Sequence, residues 1–146
     1  MRVEHTLSID APPEVVWAVT LDVERWPEWS PTMTSVQRGE EGPLRPGSVT
    51  YIKQPLQPMA RWVVTGLVNG RRFAWETHRP GLHMAAFHEV LPEGKASRNR
   101  LAVEATGPLA TALAPLLRVV MGRALAEENR GLKAHCEALS APGGIG

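Results

Sequence analysis

Two side chains able to carry protons, His88 and Glu128, each interrupt a run of apolar positions. From about Leu109 to Leu139, apolar residues recur as Leu113, Leu117, Val120, Met121, Ala124, Leu125, Leu132 and Leu139, the spacing of a helix with one buried stripe. Glu128 falls on that stripe between Ala124 and Leu132, whereas Glu127 and Arg130 fall on the opposite, wet side. In the segment Leu82–Leu91, the alternate positions Leu82, Met84, Ala86, His88 and Val90 make an apolar strand face holding one imidazole. A carboxylate facing inward is costly unless it is paired or reaches a wet cavity. The helix is therefore expected to present Glu128 to a pocket, with His88 as its best candidate partner. Such a pair reads in two ways. It is a structural hydrogen bond, or it holds the imidazole in one tautomer for acid or base work.

Other chemistries find no support. There is no glycine-rich phosphate loop, and Ser30 and Ser97 sit in no nucleophile elbow. His5, His78, His83 and His135 lack metal-ligand spacing, and His83 and His88 fall on opposite strand faces. The single cysteine, Cys136, excludes an internal disulfide and fits a reducing cytoplasm. No metal or cofactor is expected.

The elements that must position the pair follow from periodicity and punctuation. Val3, Leu7 and Ile9 alternate with polar residues in a first strand. Asp10 and Ala11 open a short helix with Pro12 and Pro13 in its first turn, packed through Val15, Val16 and Val19. Asp22 caps a second short helix through Trp26, which Pro27 stops. Six strand candidates come next: Thr32–Arg38, Ser48–Gln54, Arg61–Val68, Arg72–His78, Leu82–Leu91 and Ser97–Thr106. Turn signals such as Pro46-Gly47, Asn69-Gly70, Pro80-Gly81 and Glu93-Gly94 separate them, so the strands should run antiparallel. Gly107-Pro108 ends the sheet, and Pro115 should kink or restart the long helix near its beginning.

A seven-stranded sheet has one apolar face to cover, and a single long helix is available to cover it. One helix cannot fill a wide concave face, so a cavity is expected between them. Met84 and His88 should line it from the strands, and Val120, Met121 and Ala124 from the helix. The chain is rich in tryptophan, which supplies five of its eight aromatic residues. Trp62 and Trp75 read as sheet-face packing on neighbouring strands and are counted with the ligand contacts. In Trp26-Pro27-Glu28-Trp29, one ring should enter the core and Trp29 should reach the cavity rim.

At 146 residues this is one domain, with 141–146 as an expected flexible tail. A net charge of +1 provides no basic excess for nucleic acid. No stretch approaches the length of a membrane span, and with its alternating N-terminus no signal peptide is expected.

The segments IDAPPEVVWAV and DVERWPEWSP resemble the start of the START-related helix-grip superfamily, SRPBCC, and in particular its polyketide cyclase/dehydrase-like branch. The likeness continues through RWVVTGL at 61–67, GRRFAWETHRPG at 70–81 and HEVLPEG at 88–94. It ends with LAEENRGLKAHCEAL at 125–139. Trp75, Gly81 and His88 fall where related bacterial sequences have W, G and H, and Glu128 with Gly131-Leu132 falls on their helix motif. The resemblance implies an α+β helix-grip fold with a deep cavity for lipids, sterols, polyketides or other hydrophobic molecules. A cytoplasmic, cofactor-free binder of a small hydrophobic molecule is the expected function. The alternatives are a cyclase/dehydratase using His88 and Glu128, and a co-chaperone-like interaction module, for which no charged docking face is visible.

Overall fold

The computed structural model describes residues 1–141. The remainder of the expected tail, 142–146, lies outside the described residues. Strand β1 (Arg2–Ile9) is followed by helix α1 (Pro13–Leu21) and a 3-10 helix (Val23–Glu28). Six strands follow, β2 (Ser35–Arg38), β3 (Val49–Lys53), β4 (Ala60–Val68), β5 (Arg72–Arg79), β6 (Leu82–Glu93) and β7 (Ala96–Thr106). Helices α2 (Pro108–Ala112) and α3 (Ala114–Ser140) end the described chain. The strands form one antiparallel sheet in the order β1-β7-β6-β5-β4-β3-β2. This is the α+β helix-grip arrangement, and it places α3 across the concave face.

Local chemistry departs from expectation at three points. Asp10 does not cap α1. Pro12 holds the cap position without a side-chain bond, and the Asp10 amide instead donates to Glu137 Oε2 at 2.8 Å. Asp22 makes no capping bond either, and Pro27 does not stop the second helix. That helix is 3-10 and runs through Pro27 to Glu28; so short a ladder loses little from one missing N–H. The long C-terminal helix is broken at Leu113, and it restarts with Pro115 in its first turn. Pro115 has no N–H, and the first turn of a helix needs none there.

The apolar stripe of α3 is buried only over its C-terminal half, at Leu125, Leu132 and Cys136. Leu113 and Val120 are exposed, because the first turns of α3 overhang an open space rather than packing on the sheet, and Leu139 is exposed in the last turn. Side-chain bonds and a close contact pin the far half. Asn129, fully buried, donates from Nδ2 to His5 Nδ1 at 3.0 Å and to the Asn99 carbonyl at 3.2 Å, and it accepts from Asn99 Nδ2 at 2.8 Å. Lys133 reaches the Ser8 carbonyl at 3.1 Å. At Gly131 a Cβ would stand 2.0 Å from the Trp29 carbonyl oxygen, so only glycine lets α3 settle this close to the loop.

The main core lies between the sheet, α1 and the 3-10 helix. Trp26 is its centre, with ring centroids 5.3 Å from Trp75 and 5.2 Å from His88, and its indole N–H is satisfied by the Thr20 carbonyl. The sheet twists further where a bulge shifts the β4–β5 register between Val64 and Gly66.

Candidate functional site

Between the sheet and the first half of α3 lies a cavity of about 370 Å³. Its floor is the inner face of β4 to β6, which period-two alternation supplies as Trp62, Trp75, Met84 and His88. Its roof is the face of α3 carrying Val120, Met121, Ala124 and Glu128. Trp26 closes one side. The walls are overwhelmingly apolar, so the few polar groups on them stand out.

Trp29 is not among the lining residues, in contrast to the rim position expected for it. It caps the 3-10 helix, with its amide bonded to the Trp26 carbonyl at 3.1 Å. Its ring lies 5.9 Å from that of Trp26 and turns toward Gly131 of α3. Trp26 is the ring that enters the core, and it also lines the cavity.

His88 is 5 % exposed and lies between the rings of Phe73 and Trp26. Burial drives its pKa down to about 3, with only the Phe73 backbone opposing, so the imidazole is neutral at ordinary pH. Its Nδ1 has no hydrogen-bond partner. Glu128 is 7 % exposed, and burial alone lifts its pKa to about 7. It makes no hydrogen bond or ion pair within the described residues, with His88 or any other group. The two residues therefore share one cavity without forming a closed dyad. Trp62 Nε1 on the floor is also without a partner. The arrangement offers an apolar chamber, one donor at Trp62, one neutral imidazole, and a carboxyl group poised to hold or release a proton.

Four further polar residues line the space and were not anticipated: Thr32 before β2, Gln54 and Gln57 after β3, and Arg79 at the end of β5. Extending the alternation Phe73, Trp75, Thr77 by one step places Arg79 on the inner face, a signal present in the sequence. Among the described residues no cluster of three potential metal ligands occurs, and no helix is long and apolar enough to cross a membrane. Cys136 is fully buried, with its thiol pushed up to about 12 by burial and by Glu137.

The profile of the family described as polyketide cyclase / dehydrase and lipid transport matches residues 1–137. None of the curated proteins matches the sequence as a relative. Among solved structures, a hypothetical protein from Helicobacter pylori superposes with a TM-score of 0.81 at 15 % identity, covering 93 % of this chain and 88 % of the other. A START superfamily protein from Mycobacterium smegmatis gives 0.77 at 14 % identity, covering 95 % and 99 %. The Zhui aromatase/cyclase from Streptomyces sp. R1128 gives 0.77 at 20 % identity, covering 99 % of both chains. At these identities the likeness is one of fold.

Proposed function

The chain belongs to the polyketide cyclase / dehydrase and lipid transport family of the SRPBCC helix-grip proteins, and from that premise we propose that it binds a small, largely apolar molecule between its sheet and α3. The single observation that carries this reading is the cavity itself: an apolar chamber of about 370 Å³ walled by three tryptophans. Its size is that of ordinary small-molecule sites. Close packing is the rule in protein interiors, and a void of this size forfeits dispersion contacts that a fold without a ligand has no reason to give up. Binding would draw on apolar burial at about 25 cal/mol per Å². Trp62, His88 and Glu128 would set the orientation of the occupant. A cytoplasmic location goes with this reading, and the buried, unreactive thiol is in keeping with it.

The test is a panel of fluorescent fatty acids, sterols and polyaromatic phenols titrated against the wild type and against Ala124→Trp, which fills the roof. The proposal expects at least one class to bind well below the millimolar range, the level of about −4 kcal/mol, and to lose that affinity in the variant. Failure of every class, or equal binding to both proteins, contradicts it.

A second reading, cyclisation or dehydration of a polyketide-like substrate, is favoured by one observation. Burial in an apolar cavity lifts Glu128 to about 7, the condition under which a carboxyl group serves as acid and base in turn. In that reading the proton carrier is Glu128, and His88, too weak a base at a pKa of about 3, orients the substrate. Turnover of a linear polyketide analogue, abolished by Glu128→Gln and lowered by His88→Ala, is the outcome that would promote it over simple binding.

A further inference from the structure

The cavity is electrically polarised along its length. Of the described residues that line it, Arg79 is the only lysine or arginine and Glu128 the only acid. Arg79 stands at the last position of β5, two residues from Gly81, whose carbonyl accepts from the Leu109 amide of α2. This end is the mouth, where the lining residues Gln57 and Leu116 are exposed. One guanidinium nitrogen of Arg79 donates to the Pro58 carbonyl in the β3–β4 loop at 3.3 Å. It forms no ion pair among the described residues. Lys53 lies nearby, but its ammonium is engaged by the carbonyls of Gln54 and Gln57. Glu128 lies toward the other end. It is eleven residues along α3 from Leu117, which roofs the mouth side, or roughly 16 Å at 1.5 Å per residue.

An unpaired guanidinium beside an apolar chamber is half of a recognition pair. Its planar fork matches the two oxygens of a carboxylate, and one free cation answers one negative charge. The inner end imposes the opposite rule. An anion there would meet the Glu128 carboxyl group, while His88 is neutral and cannot compensate it. A hydroxyl or ketone meets no such objection, since His88 Nδ1 and Trp62 Nε1 lack partners and Glu128 makes no hydrogen bond among the described residues.

Resting on the ligand-binding reading above, we infer that the occupant is an apolar carboxylate, seated with its acid group at the mouth against Arg79 and its uncharged end between Glu128 and His88. Above about pH 7, where Glu128 gives up its proton, reversed entry places carboxylate against carboxylate. Uncharged analogues of equal shape leave Arg79 unanswered.

The experiment follows tryptophan emission, since Trp26, Trp62 and Trp75 face the cavity. Saturated acids of eight to fourteen carbons are titrated at pH 8 beside the primary amides and the α,ω-diacids of the same lengths. The inference expects the best acid to bind at least about fivefold more tightly than its amide. Arg79→Gln should erase that difference, and Arg79→Lys should retain part of it. Glu128→Gln should strengthen the diacid relative to the mono-acid. Circular dichroism checks that each variant is folded. Equal binding of acid and amide to the wild type, or loss of both alike in Arg79→Gln, overturns the inference while leaving the cavity a binding site. No binding of any acid or amide up to millimolar overturns it together with the reading on which it rests.

Discussion

The imidazole of His88 lies flat on the Phe73 ring, with centroids 4.3 Å apart and planes 7° from parallel. The two residues are cross-strand partners on β5 and β6, so the sheet register itself creates the stack. Such a site favours the neutral ring, and the cavity behind it favours the neutral form of Glu128 as well. The pair thus makes opposite demands on pH. Between its ordinary value of 4.5 and about 7, Glu128 keeps its proton in the folded chain and loses it in the unfolded one, so stability falls as pH rises. Between 6.5 and about 3, His88 stays neutral when folded and charges when unfolded, so stability falls as pH drops.

Urea denaturation should therefore find greatest stability between about pH 4.5 and 6.5, insofar as these two groups dominate. The alkaline loss should be below about 1 kcal/mol, because from 4.5 to 6.5 the Glu128 loss is offset by the His88 gain and only the last half unit is unopposed, each tenfold change in a proton-binding constant being worth about 1.36 kcal/mol. Glu128→Gln should remove the plateau, so that stability climbs with pH up to about 6.5, where the His88 contribution levels off. A stability that rises steadily from pH 5 to 8, in the wild type and variant alike, would show that Glu128 is not buried as described.

Gly131→Ala should be among the more damaging single-methyl additions in the chain. The new Cβ meets backbone at 2.0 Å, and neither α3 nor the Trp29 loop can yield without disturbing the core. A loss of roughly 2–4 kcal/mol is expected in denaturant titration. A change below half a kilocalorie would mean that α3 does not sit this close to Trp29.

Asn129 separates folding from binding. Asn129→Leu leaves Asn99 buried and unpaired and removes the donor to His5, for an expected cost of about 2–3 kcal/mol. Because Asn129 does not line the cavity, ligand affinity in the folded variant should stay within about twofold of the wild type. A selective collapse of affinity with stability intact would assign Asn129 to the site.

The order of elements is legible in the sequence because each strand alternates cleanly and each turn carries its own glycine or proline. The inward side of His88 follows from the same alternation, and that of Glu128 from the helical stripe. Trp29 departs from its expected place for a local reason. A helix ending at Pro27 and a 3-10 helix running past it aim the following ring differently, and only contact with Gly131 decides between them. Arg79 is hidden by a boundary one residue short, since a strand ending at His78 turns the mouth cation into a turn residue. Asn129 stands next to Glu128 in the chain, and nothing in the spacing of α3 tells which of the two meets the cavity and which meets β1 and β7. That choice is made by how the helix lies on the sheet.

The central claim is that the space under the first half of α3 is built to be filled. Native mass spectrometry of the protein isolated from its own cells, beside Ala124→Trp isolated in the same way, tests it most directly. The account predicts a bound apolar molecule on the wild type, recoverable in organic extract, and none on the variant. Bare protein in both preparations, or the same added mass on both, would contradict it.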